Sequence, residues 1–257
     1  MVCRLLRSGR CRRLNLQFML NHKVIHEAQF ELPDIEINPE GDVLLVDKPY
    51  RCTSFDVVGK VRQYIKRKYQ RKVKVGHAGT LDPLASGLLI ICVGKFTKQI
   101  DNYQAQEKEY TGTLHLGATT PSFDMEKPVD AEFPYEHVTR EMVDDVRQKF
   151  LGEIDQVPPQ FSAVRMGGRR AYELAREGAD MEIQPRRISI PAFDITRFEL
   201  PEVDFRIVCS KGTYIRSIAR DFGVELDSGA HLTALRRTRI GEFRVEEAIR
   251  MIPKETC

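Results

Sequence analysis

One carboxylate stands alone in residues 76–89, which read GHAGTLDPLASGLL. Asp82 lies between Leu81 and Pro83, with Gly76, Gly79 and Gly87 around it. An isolated carboxylate is costly to bury unless a cation pairs with it, and a guanidinium is the best match in shape and charge. The bland reading is an Asp-Pro turn whose side chain caps its own backbone. Apolar flanks instead suit a carboxylate that lines a pocket, and Pro83 stiffens the loop presenting it. A candidate cation is Arg216, in KGTYIRSIARD at 211–221. Tyr214, two residues earlier, shares no helix face with Arg216, but the two converge if Tyr214 sits at the first turn. Taken alone, Tyr214 reads as a core aromatic, Arg216 as a surface residue and Tyr110 as strand packing. His77 reads as a solvated loop histidine.

Other chemistries find little support. No second histidine or cysteine lies near His77, and the six cysteines form no C-x-x-C pair, so a zinc site is not indicated. The loop is neither G-x-x-x-x-G-K-[ST] nor G-x-G-x-x-G, so it is no phosphate cradle. No G-x-S-x-G marks a serine hydrolase.

The elements that must position these groups are legible in outline. DVLLV at 42–46 reads as a buried strand ended by Lys48 and Pro49. Thr53 and Asp56 open a helix with a capping box, and Val57, Val58, Val61, Tyr64 and Ile65 share its apolar face. GLLIICV at 87–93 is a central strand. Residues 110–116 alternate as a half-buried strand, as does VDFRIVC at 203–209. Thr139 caps a helix closed by Gly152. Tyr214, Ile215, Ile218, Ala219 and Phe222 line a short helix, with Gly223 as its stop. Strands mixed with helices, without a βαβ rhythm, predict an α+β fold with a largely antiparallel or mixed sheet. Residues 157–187 hold a double proline, a double glycine and several arginines, including Arg165 and Arg169, and read as a functional excursion from the core.

Net charge is only +3, but its distribution is uneven. Between Asp56 and Asp82 there is no acid, while Lys60, Arg62, Lys66, Arg67, Lys68, Arg71, Lys72 and Lys74 crowd together. Arg165, Arg169 and Arg170 form a second basic group, and Arg236, Arg237 and Arg239 a third. Acids gather between Asp124 and Asp155. Any one cluster reads as a solvated face; three together favour a nucleic-acid partner. Cys92 and Cys209 lie in apolar runs and are expected to be buried free thiols of a reducing, cytoplasmic protein. No apolar run approaches a membrane span. Residues 1–18 hold five arginines and no acid. This suits a transit peptide or, as we prefer, an upstream extension with Met19 as the start. Residues 1–38 are expected to be an N-terminal arm that adds little to the fold.

The ordered set of motifs resembles the TruB-type tRNA pseudouridine synthases. GHAGTLDPLASGLL resembles their catalytic loop. DKP at 47–49 with TSFDVV at 53–58 resembles their N-terminal motif, and KEY at 108–110 their tyrosine strand. PPQFSA at 158–163 resembles their RNA-gripping thumb. SKGTYIRS at 210–217, GAH at 229–231 and LRRT at 235–238 resemble their C-terminal motifs. The resemblance covers roughly residues 41–250. It implies a pseudouridine-synthase-like sheet with flanking helices, in a catalytic domain at 39–257 with an inserted thumb at about 157–187. It further implies isomerisation of a uridine to pseudouridine at position 55 of the T loop of tRNA, without a cofactor. Asp82 matches the essential aspartate. Attack on the ribose, attack on the base and removal of a ribose proton all remain open to it; a carboxylate against C1′ could stabilise positive charge there. The uridine would be flipped out to reach it. Tyr110 would stack on the base, Arg216 would pair with Asp82, Tyr214 and Leu235 would shape the pocket, and His77 would fill the vacated space. Lys48, Arg51, Arg165, Arg169, Lys211 and Arg237 would support the site or meet RNA.

Three departures stand out. Arg51 occupies a position where the family usually has glycine, which predicts an altered turn there, with Arg51 reaching RNA. Pro121 replaces an acid ahead of Asp124. Only 17 residues follow Ile240, too few for the PUA domain of many relatives, which leaves substrate grip to the thumb and the basic surface. The expected protein is a monomer that binds tRNA and needs no obligatory protein partner. Two alternatives fit the residues less well. A catalytically silent tRNA-binding or folding protein on the same scaffold is disfavoured by Asp82, Tyr110 and Arg216 together. A carboxylate-dependent nucleoside hydrolase wants a second acid, and strand alternation points Glu109 away from Tyr110.

Overall fold

A computed structural model describes residues 30–162, 165–166, 169–170 and 183–253. Most of the expected N-terminal arm, the Met19 start and most of the expected thumb lie outside the described residues. The chain is α+β. The main strands are β1 (Gly41–Lys48), β2 (Val75–His77), β3 (Ser86–Gly94), β4 (Lys108–Leu116), β5 (Gly152–Gln156), β6 (Arg186–Ile190), β7 (Ala192–Glu199), β8 (Glu202–Cys209), β9 (Ala230–Ile240) and β10 (Ile249–Arg250). The helices are α1 (Ser54–Tyr69), α2 (Ile100–Ala105), α3 (Arg140–Lys149) and α4 (Ile215–Glu225).

The large sheet runs β7-β8-β4-β9-β3-β1-β10, with β2 paired to β3. Its pairings along this order are antiparallel except β9 with β3 and β10 with β1. β5 and β6 form a separate antiparallel ribbon. Alternation builds the core: Leu114 and Leu116 of β4 meet Val203, Phe205 and Ile207 of β8, and α3 and α4 cover them through Val143, Phe150, Ile218 and Phe222. A second core under α1 joins Val57, Val61 and Ile65 to Val46, Leu89, Ile91 and Val93. β3 is apolar throughout because it is buried on both faces.

The join of β9 to β3 matters most for the site. It spans only Arg236–Ser86 and Arg237–Gly87. Gly87 has a φ of 103°, and a Cβ there would lie 2.2 Å from the Arg237 carbonyl oxygen, so only glycine permits this contact. The loop carrying Asp82 enters β3 at this join.

The capping box of α1 is present: Thr53 and Asp56 bond each other's backbone N–H groups. Gly223 does not stop α4, contrary to the sequence reading. The helix continues to Glu225, and Gly223 is needed because a Cβ there would lie 2.2 Å from the Ala230 nitrogen. Cys92 and Cys209 are buried free thiols, as is Cys52.

At Arg51 the turn takes the positive φ that suits glycine. Arg51 itself takes the left-handed conformation, with φ at 61°, and its N–H donates to the Pro83 carbonyl at 2.9 Å. This hydrogen bond to the loop carrying Asp82 holds a conformation that costs a non-glycine residue about 1–2 kcal/mol. Arg51→Gly is therefore expected to raise stability by about 0.5–1 kcal/mol, after the entropy glycine adds to the unfolded chain. The urea midpoint measures it; a lower midpoint would show that the Arg51 side chain, stacked 5.5 Å over the Tyr50 ring, outweighs the strain.

Candidate active site

The loop 78–85 is held at nearly every residue, which explains how a carboxylate can be presented rigidly there. Ala78 N donates to Ile90 O at 2.9 Å and Ala85 N to Asp82 O at 3.0 Å. Leu81 N donates to the Ser54 hydroxyl at 2.9 Å, so the first residue of α1 clamps the residue before Asp82. Arg51 clamps the one after it. Beneath the loop, Arg237 is 1% exposed. Its Nε donates to Leu88 O at 2.8 Å and its Nη2 to Gly79 O at 3.1 Å. Lys48 is fully buried and donates to the carbonyls of Pro49, at 3.0 Å, and Cys52, at 2.5 Å. Burial pushes its pKa down to about 8, against the pull of Cys52 and Asp82. Between the two roles open to Lys48 and Arg237, this burial leaves support of the loop.

Asp82 and Arg216 meet across 134 residues of sequence: Arg216 Nε donates to Asp82 Oδ2 at 2.8 Å. The Arg216 side chain is 6% exposed and that of Asp82 39%, so the cation is enclosed and the carboxylate opens outward. Arg216 also donates to Phe161 O at 3.0 Å and lies 3.9 Å from Asp124 Oδ2. Burial alone would lower its pKa, but Asp82 and then Asp124 raise it. Asp124 is the partner that sequence reasoning missed as a site residue. Burial pushes its carboxyl pKa up, against the pull of Arg216. The signal was there, an acid in a TTPSFD turn, but nothing local shows that the turn folds against α4. Pro121 does not displace Asp124; Phe123, at a φ of 60°, turns the chain.

Asp82, Leu84, Asp124, Arg216 and Leu235 share one cleft, where β9 bulges at Thr233. The cleft holds about 290 Å³ of empty space, part of it open to solvent. Tyr110 and Tyr214 are within electrostatic reach of Asp82. Burial pushes both phenol pKa values up, and Asp82 is near enough to add to the shift. Tyr214 caps α4, as convergence with Arg216 required, and the buried Gln156 amide brackets its backbone with bonds of 2.8 and 3.1 Å. Gln156 was also missed in the sequence. Glu109 points to the opposite face, bound to Arg206 and Thr238. His77 ends β2, partly buried, its ring edge-on to Phe55; burial, then Arg237, lowers its pKa. Among the described residues, no group of three or more His, Cys, Asp or Glu side chains is placed to hold a metal ion.

The basic surface is smaller than the sequence suggested. Arg236 binds Asp47 through two bonds, at 2.7 and 3.0 Å, Arg237 is buried, and Arg239 pairs with Glu107. The third cluster is therefore taken up within the fold: Arg236 by Asp47 two strands away, Arg239 by Glu107 just ahead of β4, and Arg237 by backbone carbonyls. In the first cluster, Lys68 binds Asp34 and Glu36, Arg71 binds Glu40, and Arg62 holds the Val75 carbonyl. Lys66, Arg67, Lys72 and Lys74 remain exposed. Lys211 is exposed in the turn before α4, and Arg169 is exposed in a two-residue ladder with Arg165–Met166.

The family description "TruB family pseudouridylate synthase (N terminal domain)" matches residues 66–215. The chain belongs to this family. TruB relatives align over most of it. The tRNA pseudouridine synthase B of Phocaeicola vulgatus is 56% identical over 211 residues, which cover 82% of this chain and 90% of that protein. That of Flavobacterium johnsoniae is 56% identical, covering 82% and 93%. Among solved structures, a chain of a Cbf5-Nop10-Gar1 complex superposes with a TM-score of 0.62 at 30% identity, over 87% of this chain and 59% of that one. A chain of an H/ACA RNP bound to a substrate RNA containing 2'-deoxyuridine gives 0.57 at 27% identity, over 88% and 62%. The TruB chain described here thus spans about three-fifths of the length of those two structural relatives.

Proposed function

We propose that this protein isomerises a uridine of tRNA to pseudouridine, at position 55 of the T loop, with Asp82 as the nucleophile. The observation that carries the reading is the Asp82–Arg216 pair, a half-open carboxylate aimed by an enclosed guanidinium. The relatives named tRNA pseudouridine synthase B support its coarser part, pseudouridine formation in tRNA. In the reaction the C1′–N1 bond breaks and its electron pair leaves with the uracil. The ring turns, C5 bonds to C1′, the C5 proton is lost and N1 gains one. Nothing is oxidised or added, so no cofactor enters. Arg216 supplies the countercharge and fixes the aim of Asp82. Tyr110, its phenol pKa raised by burial, keeps its proton and presents a neutral ring to the base. Leu235 and Leu84 form the apolar wall. Lys66, Arg67, Lys72, Lys74 and Lys211, with Arg165 and Arg169 of the thumb, would meet the RNA phosphates.

The test is incubation with unmodified tRNA, followed by chemical marking of pseudouridine and mapping of reverse-transcription stops. A single stop at position 55 is expected, with binding that weakens steeply as salt rises. Binding without any pseudouridine would move the protein to the silent-binder reading.

A further inference from the structure

Phe55 is 66% exposed, although it sits beside the catalytic loop. It contributes nothing to the packed face of α1, which consists of Ser54, Val57, Val58, Val61, Tyr64 and Ile65. Its backbone is nonetheless held firmly. Ser54, the preceding residue, bonds Leu81 of the loop, and the Thr53–Asp56 capping box encloses it. The phenyl ring lies 5.6 Å from the His77 ring, centre to centre, at 86°. A wet aromatic ring on a firmly held backbone, one residue from the clamp on the Asp82 loop and at the start of a helix whose only acid, Asp56, is used in its cap, has the usual form of a stacking platform for an unpaired base.

The right angle limits what can bind. Two bases stacked on these rings cannot belong to one continuous stack; they must be perpendicular. Unstacked neighbours in a kinked loop meet that condition, and the 5.6 Å between the ring centres suits residues adjacent along a strand. We propose that Phe55 stacks on an unpaired base of the RNA substrate next to the flipped uridine, and holds it perpendicular to the ring of His77. This rests on the functional reading above and adds to it a residue that positions the loop.

The test compares Phe55→Leu with Phe55→Tyr in the full-length protein. Binding to unmodified tRNA is measured by filter retention across a salt series, and single-turnover pseudouridine formation is followed in parallel. Phe55→Leu is expected to weaken binding about tenfold, within the range for one base–aromatic stack. Phe55→Tyr should stay close to wild type. The slope of binding against salt should not change, because no charge is altered. Melting temperatures should be equal, since the ring is exposed. If wild type forms pseudouridine and Phe55→Leu binds and reacts as well as wild type, this inference alone fails. If wild type forms none, the functional reading fails and takes this inference with it.

Discussion

Asp82→Asn should lower single-turnover pseudouridine formation by at least about 10⁴-fold, the scale on which enzymes lose activity when a nucleophile is removed. The fold and the affinity for tRNA should survive. Asparagine has the same shape, and its carbonyl can still accept the Arg216 Nε–H. Arg216 also keeps its bond to Phe161 O and its approach to Asp124. The Asp82 side chain is 39% exposed, so the electrostatic loss is screened and stability should change by no more than about 1 kcal/mol. A variant that melts like wild type, binds like wild type and makes no product isolates the chemistry. If it still forms pseudouridine, the nucleophile lies elsewhere, and Asp124 is the nearest other carboxylate on the same guanidinium.

The sequence carried the parts of this site that depend on local rules. A Thr and an Asp three apart announced a capping box, an apolar run announced β3, and an acid among leucines announced an unusual carboxylate. Arg216 was a candidate partner by its chemistry and the family resemblance favoured it, but nothing in the spacing of 134 residues brings it to Asp82. Gly223 was misread because glycine ends helices and also permits close approach, and only the fold shows that Ala230 is the neighbour. The basic clusters were misread for a related reason. A run of arginines on one strand says nothing about the acids the fold brings to it, and Asp47, Glu107 and Glu109 take up Arg236 and Arg239 once the sheet forms. Ser54, which supports the loop, and Gln156, which holds Tyr214, are polar residues with no signature of their own. Their roles come from tertiary contact.

Arg216→Ala should be damaging in a way that depends on pH. It leaves Asp82 without aim, and activity should fall with it. It also strips the cation from Asp124, whose side chain is 9% exposed. Breaking such a pair from one side costs about 3–5 kcal/mol, because the remaining charge stays buried. Asp124 already has its carboxyl pKa pushed up by burial, with Arg216 pulling the other way; without Arg216 it must rise further. A carboxyl whose folded pKa is above its unfolded value stabilises the fold when protonated, and that stability is lost as pH rises through the folded pKa. The deficit of the variant relative to wild type should therefore be smaller near pH 5 than near pH 8, as measured by urea midpoints at each. Arg216→Lys keeps the charge without the planar fork, so it should recover part of the stability and little of the activity. A deficit equal at both pH values would assign the damage to the lost packing and the unpaired Phe161 carbonyl instead of to Asp124.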